Sequence, residues 1–338
     1  MLTISKISEF QQKLKESKKI AVCTHFNPDG DAIGSMLALS SYFKSQGFEI
    51  KCITPSSMPE FYKWMPGATE IINAQKQFKE TKKIIQETDI LFLVDMNSEH
   101  RSGIDLENIL LTTPAYKILI DHHPNPTANC DIIYSNINTS STCENIYRFL
   151  AEITDKPFLN RELGTCIYTG IITDTGSLSY MCNNAETYLL LAQLMELGVN
   201  GENIHREIYD NYSENRIRLL GLSLNKLKVF PELGTSYMYL TKEEMKQNNF
   251  KDGDTEGFVN FGISLKGIFF TAFFTEREKR IRLSFRSKGN FNVNQFAQTY
   301  FQGGGHRNAA ASYYYDTLEN AIRYFEEIIH KHPELVRK

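Results

Sequence analysis

The side chains best suited to chemistry in this sequence are carboxylates and imidazoles gathered in four short segments. His25, Asp29 and Asp31 fall within His25-Phe26-Asn27-Pro28-Asp29-Gly30-Asp31. Asp95 closes the apolar run Ile90-Leu91-Phe92-Leu93-Val94, Asp121-His122-His123 closes Tyr116-Lys117-Ile118-Leu119-Ile120, and Asp174 precedes Thr175-Gly176. Such groups can hold two divalent cations about 3.5–4 Å apart, which clamp a phosphate and generate a hydroxide between them when one carboxylate bridges. Four of these five Asp with two of the three His would form a mixed hard and borderline donor set. That mix favours Mn²⁺ over the all-oxygen surroundings of Mg²⁺, while admitting Mg²⁺, Zn²⁺ and Fe²⁺. Each piece alone has an ordinary explanation, since Asp at a strand end caps turns and Asn-Pro-Asp-Gly is a common turn. Their joint occurrence, each at a strand or helix terminus, points to a metal centre.

Those segments need elements to position them. Residues 20–23, 50–53, 90–94 and 116–120 are apolar and β-branched, and read as short buried strands. Residues 32–46 read as a helix with Ile33, Met36, Leu37, Ser40 and Phe43 near one face and Gly47 as its cap. Ser141-x-x-Glu144 has the capping-box spacing and opens a further helix through Ile146, Phe149 and Leu150. The alternation predicts an α/β domain on a parallel sheet, where ligands gather beyond the carboxyl ends of the strands. Three strand ends would then deliver donors to one crevice. Residues 186–227 read as mostly helical, with breaks near Gly198 and Gly201. Beyond Phe230, residues 236–240, 267–274 and 280–286 are strand-like, and 318–330 form an amphipathic last helix. The second domain is therefore a smaller mixed α/β unit.

Composition bounds the function. A chain of 338 residues, 41% hydrophobic and 23% charged, fits two ordinary globular domains. A net charge of −3 argues against a protein that coats long nucleic acid by charge, and leaves room for a small anionic substrate. No apolar run approaches the ~20 residues that span a bilayer, so no membrane association is expected. The first residues read as an amphipathic helix rather than a secretory signal. The six cysteines are scattered without a C-x-x-C pair and read as free thiols, which makes a cytoplasmic location the expectation.

Toward the C-terminus, Gly303-Gly304-Gly305 can bring backbone N–H groups to a phosphate, Arg286 can contact it bidentately, and His306 can add a donor. A flexible loop and a solvated strand face account for the same residues. Arg101 reads equally as a phosphate contact or a surface-loop residue, and Ser140, Ser141 and Thr142, at a helix start, could bind an anion but read better as a helix cap. His100, His205, His330 and His332 read as surface residues.

Taken together, Thr24-His25-x-x-Pro28-Asp29-x-Asp31-Ala32-Ile33-Gly34-Ser35, Val94-Asp95, Asp121-His122-His123 and Thr173-Asp174-Thr175-Gly176 resemble the four motifs of the DHH phosphoesterase superfamily. Gly303-Gly304-Gly305-His306-x-x-Ala309-Ala310 resembles the glycine-rich motif of the DHH-associated C-terminal domain, and Leu283-Ser284-Phe285-Arg286-Ser287-Lys288 its substrate-binding strand. Length and arrangement are most similar to the nanoRNase/pAp-phosphatase subfamily. The resemblance implies a parallel-sheet DHH domain over 1–197, a helical connector over 198–230 and a substrate-binding domain over 231–338. It makes His25, Asp29 and Asp95 the ligands of one metal, and Asp31, Asp95, His122 and Asp174 those of the other, with Asp95 bridging. Asp121 would orient a ligating histidine, and His123 would act at the scissile phosphate as general acid or charge stabiliser. Arg286, Ser287, Gly304, Gly305, His306 and Arg101 would bind substrate. Two departures stand out: Gln302 replaces a usual glycine before the glycine run, and Ala311 replaces another after it.

The implied activity is Mn²⁺-dependent hydrolysis of very short RNA from an end and of 3′-phosphoadenosine 5′-phosphate (pAp). A second anion site beside the metals would select substrates with two phosphates, and a homodimer is compatible with the same reading. Hydrolysis of cyclic dinucleotides or their linear products is the alternative within the class. A catalytically inactive nucleotide sensor is the alternative outside it.

Overall fold

Residues 2–331 are described by a computed structural model, so His332 lies outside the described residues. The chain divides into two units, Met1–Asn211 and Tyr212–Lys338. The split falls inside the 198–230 stretch, between two helices that each belong to a different unit.

In the first unit the order is α1 (Ile4–Glu16), β1 (Lys19–Cys23), α2 (Gly30–Ser45), β2 (Glu49–Thr54), β3 (Ile72–Asn73), α3 (Phe78–Glu87), β4 (Ile90–Val94), α4 (Ile104–Thr112), β5 (Tyr116–Asp121), β6 (Ile132–Ser135), α5 (Thr142–Ile153), α6 (Arg161–Asp174), α7 (Ala185–Glu196) and α8 (Gly201–Tyr209). The strands pair in parallel in the order β3-β2-β1-β4-β5-β6. The winding direction reverses between β1 and β4, which opens a crevice beyond their carboxyl ends. β4 is buried along its whole length because helices cover both faces of the sheet. One core gathers residues of α1, α2, α5 and α6, and the other residues of α3 and α4.

The four expected strands are present. β3 and β6 were not anticipated, because two residues carry no pattern and β6 is a four-residue edge strand with partial exposure. α2 buries Ala32, Ala38 and Leu39 as well as the expected face, so it is a core helix rather than an amphipathic one. Gly47 follows it with φ +86, in the left-handed region that glycine occupies without strain.

The capping box at Ser141 forms only by half. Ser141 Oγ accepts the Glu144 N–H at 3.1 Å, but the Glu144 carboxylate turns to Ser140, taking its N–H at 3.0 Å and its hydroxyl at 2.6 Å. Thr187 and Arg148 also donate to Glu144, so this buried carboxylate is fully satisfied and ties α5 to α7. His205 departs from its surface reading as well. It is half-buried, with its ring 5.5 Å from that of Tyr209.

The second unit runs α9 (Glu214–Asn225), β7 (Lys228–Phe230), β8 (Thr235–Leu240), α10 (Lys242–Gln247), α11 (Val259–Ser264), β9 (Phe270–Glu276), β10 (Ile281–Ser287), α12 (Val293–Phe301), β11 (Gly304–His306), β12 (Ala309–Tyr314) and α13 (Leu318–Lys331). Its sheet has the order β11-β12-β10-β9-β8-β7, parallel only between β8 and β9. Residues of α12 and α13 pack on one face, and those of α9, α10 and α11 on the other. β9 starts at Phe270 rather than Gly267, because Gly267 sits at φ +80 in a turn.

Gln302 closes α12 in the left-handed conformation, φ 52 and ψ 36, with its side chain exposed. A residue with a Cβ is strained there by about 1 kcal/mol. Gln302→Gly is expected to raise unfolding stability by about that amount, measured as a shift in denaturation midpoint at unchanged slope.

Candidate metal centre

The chain leaves β1 through His25 and enters α2 at Asp29. Asp29 Oδ1 caps the helix, accepting the N–H groups of Asp31 and Ala32 at 3.1 Å each. The same carboxylate lies in a donor cluster: one atom each of His25, Asp29 and Asp95 fall within 4.8 Å of one another. His25 Nδ1 pairs with the Phe26 carbonyl oxygen at 2.9 Å, which assigns the proton to Nδ1 and leaves the Nε2 lone pair toward the carboxylates. Nε2 is buried and lies 3.3 Å from Asp95 Oδ2, yet it lacks the angle of a hydrogen bond. A buried nitrogen so aimed fits a cation.

Asp95 follows β4 with φ 57, and its N–H donates to the Ile120 carbonyl at 3.1 Å. This left-handed turn points the two carboxylate oxygens in different directions. Oδ2 faces His25, while Oδ1 lies 3.6 Å from His122 Nε2 and accepts the Thr142 hydroxyl at 2.9 Å. The second cluster is Asp31, His122 and Asp174, again within 4.8 Å. His122 Nε2 stands 3.8 Å from Asp31 Oδ2 and 3.5 Å from Asp174 Oδ2.

Asp174 ends a helix rather than a strand, and α2–α6 packing brings it in. A Cβ on Gly30 would fall 2.4 Å from Thr173 Oγ1, and one on Gly170 would fall 2.1 Å from Cys143 Sγ and 2.7 Å from Asp31 Oδ1. Only glycine permits the two helices this approach.

Asp31 is held by the start of α5. Its Oδ2 accepts the Thr142 N–H at 2.6 Å and its Oδ1 the Cys143 N–H at 2.8 Å, where unpaired donors and the helix dipole favour an anion. Thr142 therefore joins two donors from separate elements, Asp31 through its backbone and Asp95 through its hydroxyl. Sequence reasoning treated this threonine as part of a cap. The usable signal was three consecutive hydroxyl residues, Ser140-Ser141-Thr142, directly before a helix.

Charge balance follows from burial. Burial and the nearby carboxylates of Asp95 and Asp174 push Asp31 well above the ordinary carboxylate range. Burial also opposes ionisation of Asp95, but the neighbouring His25, His122 and Arg101 outweigh it and hold the group at about 2. Asp121 is pushed up to about 6, first by burial and then by Asp95. Clustered buried carboxylates leave an excess of negative charge that divalent cations would balance. The donor set fits a metal pair.

Asp121 was expected to orient a ligating histidine. It instead accepts from Nδ1 of His123 at 2.7 Å. β5 extends through Asp121, and side chains two apart on an extended chain share a side, which favours His123 over His122. His123 Nδ1 also lies 3.7 Å from Asp95 Oδ1. Arg101 sits in the short turn after Asp95, half-buried, with its carbonyl accepting the Phe26 N–H at 2.7 Å. It is half-buried rather than a fully exposed loop residue, and its charge helps to hold Asp95 down.

The second unit holds the other candidates. Arg286 lies on the partly exposed face of β10, but Ser287 points to the opposite, buried side. The Ser287 hydroxyl donates to the Phe291 carbonyl at 2.7 Å and accepts from Asn308 at 2.8 Å, which engages it in the turn. The glycine run is not a loop: Gly304, Gly305 and His306 pair with Ala311, Ala310 and Ala309. A Cβ on Gly305 would meet the Ala309 carbonyl oxygen at 2.4 Å, and its N–H donates to Asn294 Oδ1 at 3.0 Å. Close strand pairing explains this glycine, and its N–H is already in use. Gly304 is exposed, and a Cβ there would meet only Asn294 Oδ1 at 3.8 Å.

Comparison with known proteins adds four findings. Residues 19–171 match the family model described as DHH family, N-terminal domain, and residues 234–331 match the DHHA1 domain. The chain is 24% identical to the bifunctional oligoribonuclease and PAP phosphatase NrnA of Bacillus subtilis, over 91% of this chain and 94% of that protein. The crystal structure of an exopolyphosphatase-related protein from Bacteroides fragilis is 36% identical with a TM-score of 0.94, covering 100% of both chains. RecJ from Thermus thermophilus in complex with Mn²⁺ shares the fold at a TM-score of 0.57 and 13% identity, over 98% of this chain and 54% of that one.

Proposed function

Because this chain belongs to the DHH family, we propose that it is a metal-dependent phosphoesterase acting on very short RNA oligonucleotides and on pAp. The observation that carries the reading is the division of Asp95 between two donor clusters, Oδ2 toward His25 and Oδ1 toward His122. His25, Asp29 and Asp95 would hold one ion, and Asp31, Asp95, His122 and Asp174 the other. Divalent ions there supply Lewis acidity toward the phosphate and lower the pKa of a coordinated water.

The protein's own groups do the rest. Asp121 fixes the His123 ring by accepting from Nδ1, which stabilises an imidazolium able to carry a proton at Nε2 to the leaving oxygen. Arg101 adds positive charge where the phosphate gathers negative charge. Thr142 and the start of α5 keep Asp31 and Asp95 from drifting. The substrate class rests on the 24% identity to a named oligoribonuclease and PAP phosphatase over nearly all of both chains, and on a net charge of −3 that suits short substrates.

A single panel tests it. Purified protein with Mn²⁺ or Mg²⁺ is expected to release phosphate from pAp and nucleotides from di- to pentaribonucleotides, and EDTA to stop both. Turnover confined to cyclic dinucleotides, or to tripolyphosphate as the Bacteroides fragilis relative's name suggests, would move the substrate assignment and keep the phosphoesterase.

A further inference from the structure

The open part of the second unit's sheet carries positive charge left largely unbalanced among the described residues. α9, α10 and α11 cover β8 and β9 on this face, but β10, β12 and β11 remain partly exposed. Arg282 stands opposite Tyr313 on β12 and Thr275 on β9, and makes no ion pair among the described residues. The Arg280 guanidinium lies over the Tyr313 ring at 3.9 Å, and that of Arg277 over the Phe250 ring at 4.3 Å. The only carboxylate within ion-pair reach of these arginines, among the described residues, is Asp252, 4.0 Å from Arg277 and mostly in solvent. Glu278, between them in sequence, pairs with Lys242 at 2.7 Å instead.

Holding like charges together, partly buried, is costly. The Arg277 guanidinium is pulled below its ordinary value, first by burial and next by the neighbouring Arg282. Aromatic stacking fixes two of the three planes without cancelling their charge. Such a preorganised, unbalanced fork is the form that recognises phosphate oxygens.

We propose that Arg277, Arg280 and Arg282 form an anion site for the phosphodiester backbone of an oligonucleotide, distinct from the contact expected at Arg286. Arg282 and Arg286 share a face of β10 four residues apart, about 13 Å along the strand. A stacked strand, at about 3.4 Å of rise per phosphate, needs about four steps to cover that span, and an unstacked strand drawn out to about twice that rise covers it in two, the reach of the three phosphates of a tetranucleotide. Between the two arginines the sheet presents Ser284, Ala311 and Gly304 in register, a strip without large side chains where a base has room to lie. That strip favours a nucleotide chain over inorganic polyphosphate. The site would reward substrates longer than pAp or a dinucleotide. This deepens the nucleotide reading above and rests on it.

The test separates the two. Anisotropy of a fluorescein-labelled tetraribonucleotide, without divalent ions, reads binding alone. Arg282→Gln is expected to weaken it about tenfold at low salt and to lower the slope of log K against log salt by about 0.7, the value for one single-strand phosphate contact. Arg282→Lys is expected to restore most of the slope, and the ratio of tetranucleotide to pAp turnover in Arg282→Gln to fall about tenfold. Unchanged affinity and slope in Arg282→Gln would overturn the site. So would equal losses on pAp and tetranucleotide, or a dependence on Arg282 shown by tripolyphosphate and not by RNA. Tight tetranucleotide binding with no turnover would sink the proposed activity and leave the site standing.

Discussion

Asp95→Asn is expected to lower turnover of pAp and of dinucleotides by at least about a thousandfold, roughly 4 kcal/mol of transition-state stabilisation. Asn is the informative replacement because Asp95 occupies the left-handed region at φ 57, which Asn tolerates and most residues do not. Ala would add backbone strain to the loss of charge, and a lost activity could then reflect a distorted loop. Asn keeps the Thr142 contact through its carbonyl oxygen and removes only the charge shared between the clusters. Calorimetric titration with Mn²⁺ should show both sites weakened together. If one ion binds as in the parent protein, Asp95 is a ligand to a single metal and the bridging assignment is wrong.

Asp121→Asn is the second large effect. Its amide cannot stabilise an imidazolium at His123, so kcat is expected to fall about a hundredfold, the usual scale of a general acid contribution. Mn²⁺ affinity should change by less than about tenfold, because the 2.7 Å hydrogen bond runs to His123 and no donor of the first or second cluster is removed. A mainly structural role predicts the opposite pattern, with weakened metal and little change in kcat at saturating Mn²⁺. His123→Ala in the Asp121→Asn background should then cost little more, since the two residues act as one unit.

Much of this centre was legible because parallel α/β sheets send ligands to strand ends. β1, β4 and β5 were read from apolar runs, and the residues at their ends supply members of the clusters that could hold a metal. Asp29 was read as a donor in the loop before a helix; the structure adds that it caps α2, and the geometry makes the two roles compatible. The hydrogen bond between Asp121 and His123 was not legible, because the resemblance named no particular histidine for Asp121, whereas extended backbone brings together residues two apart. Thr142 was read chiefly as a cap because its contact with both Asp31 and Asp95 comes from α5 docking its first turn on Asp31, a tertiary fact. For the glycine run the sequence left a phosphate contact and a flexible loop both open, since glycine signals freedom of backbone. Gly305 is instead required by a neighbouring strand that leaves no room for a side chain.

The glycines between α2 and α6 matter for a different reason. A Cβ on Gly34 of α2 would fall 2.6 Å from the carbonyl oxygen of Cys166 in α6, so there backbone meets backbone and no rotamer lies between the helices to absorb a change in spacing. The gap separating Asp31 from Asp174 is therefore fixed by main-chain contact, as a machined shim fixes a clearance. Flexible oxygen cages accept calcium by adjusting, whereas stiff ones do not. If the two clusters hold cations as proposed, a spacing fixed in this way would sort them by radius, through residues that belong to neither cluster.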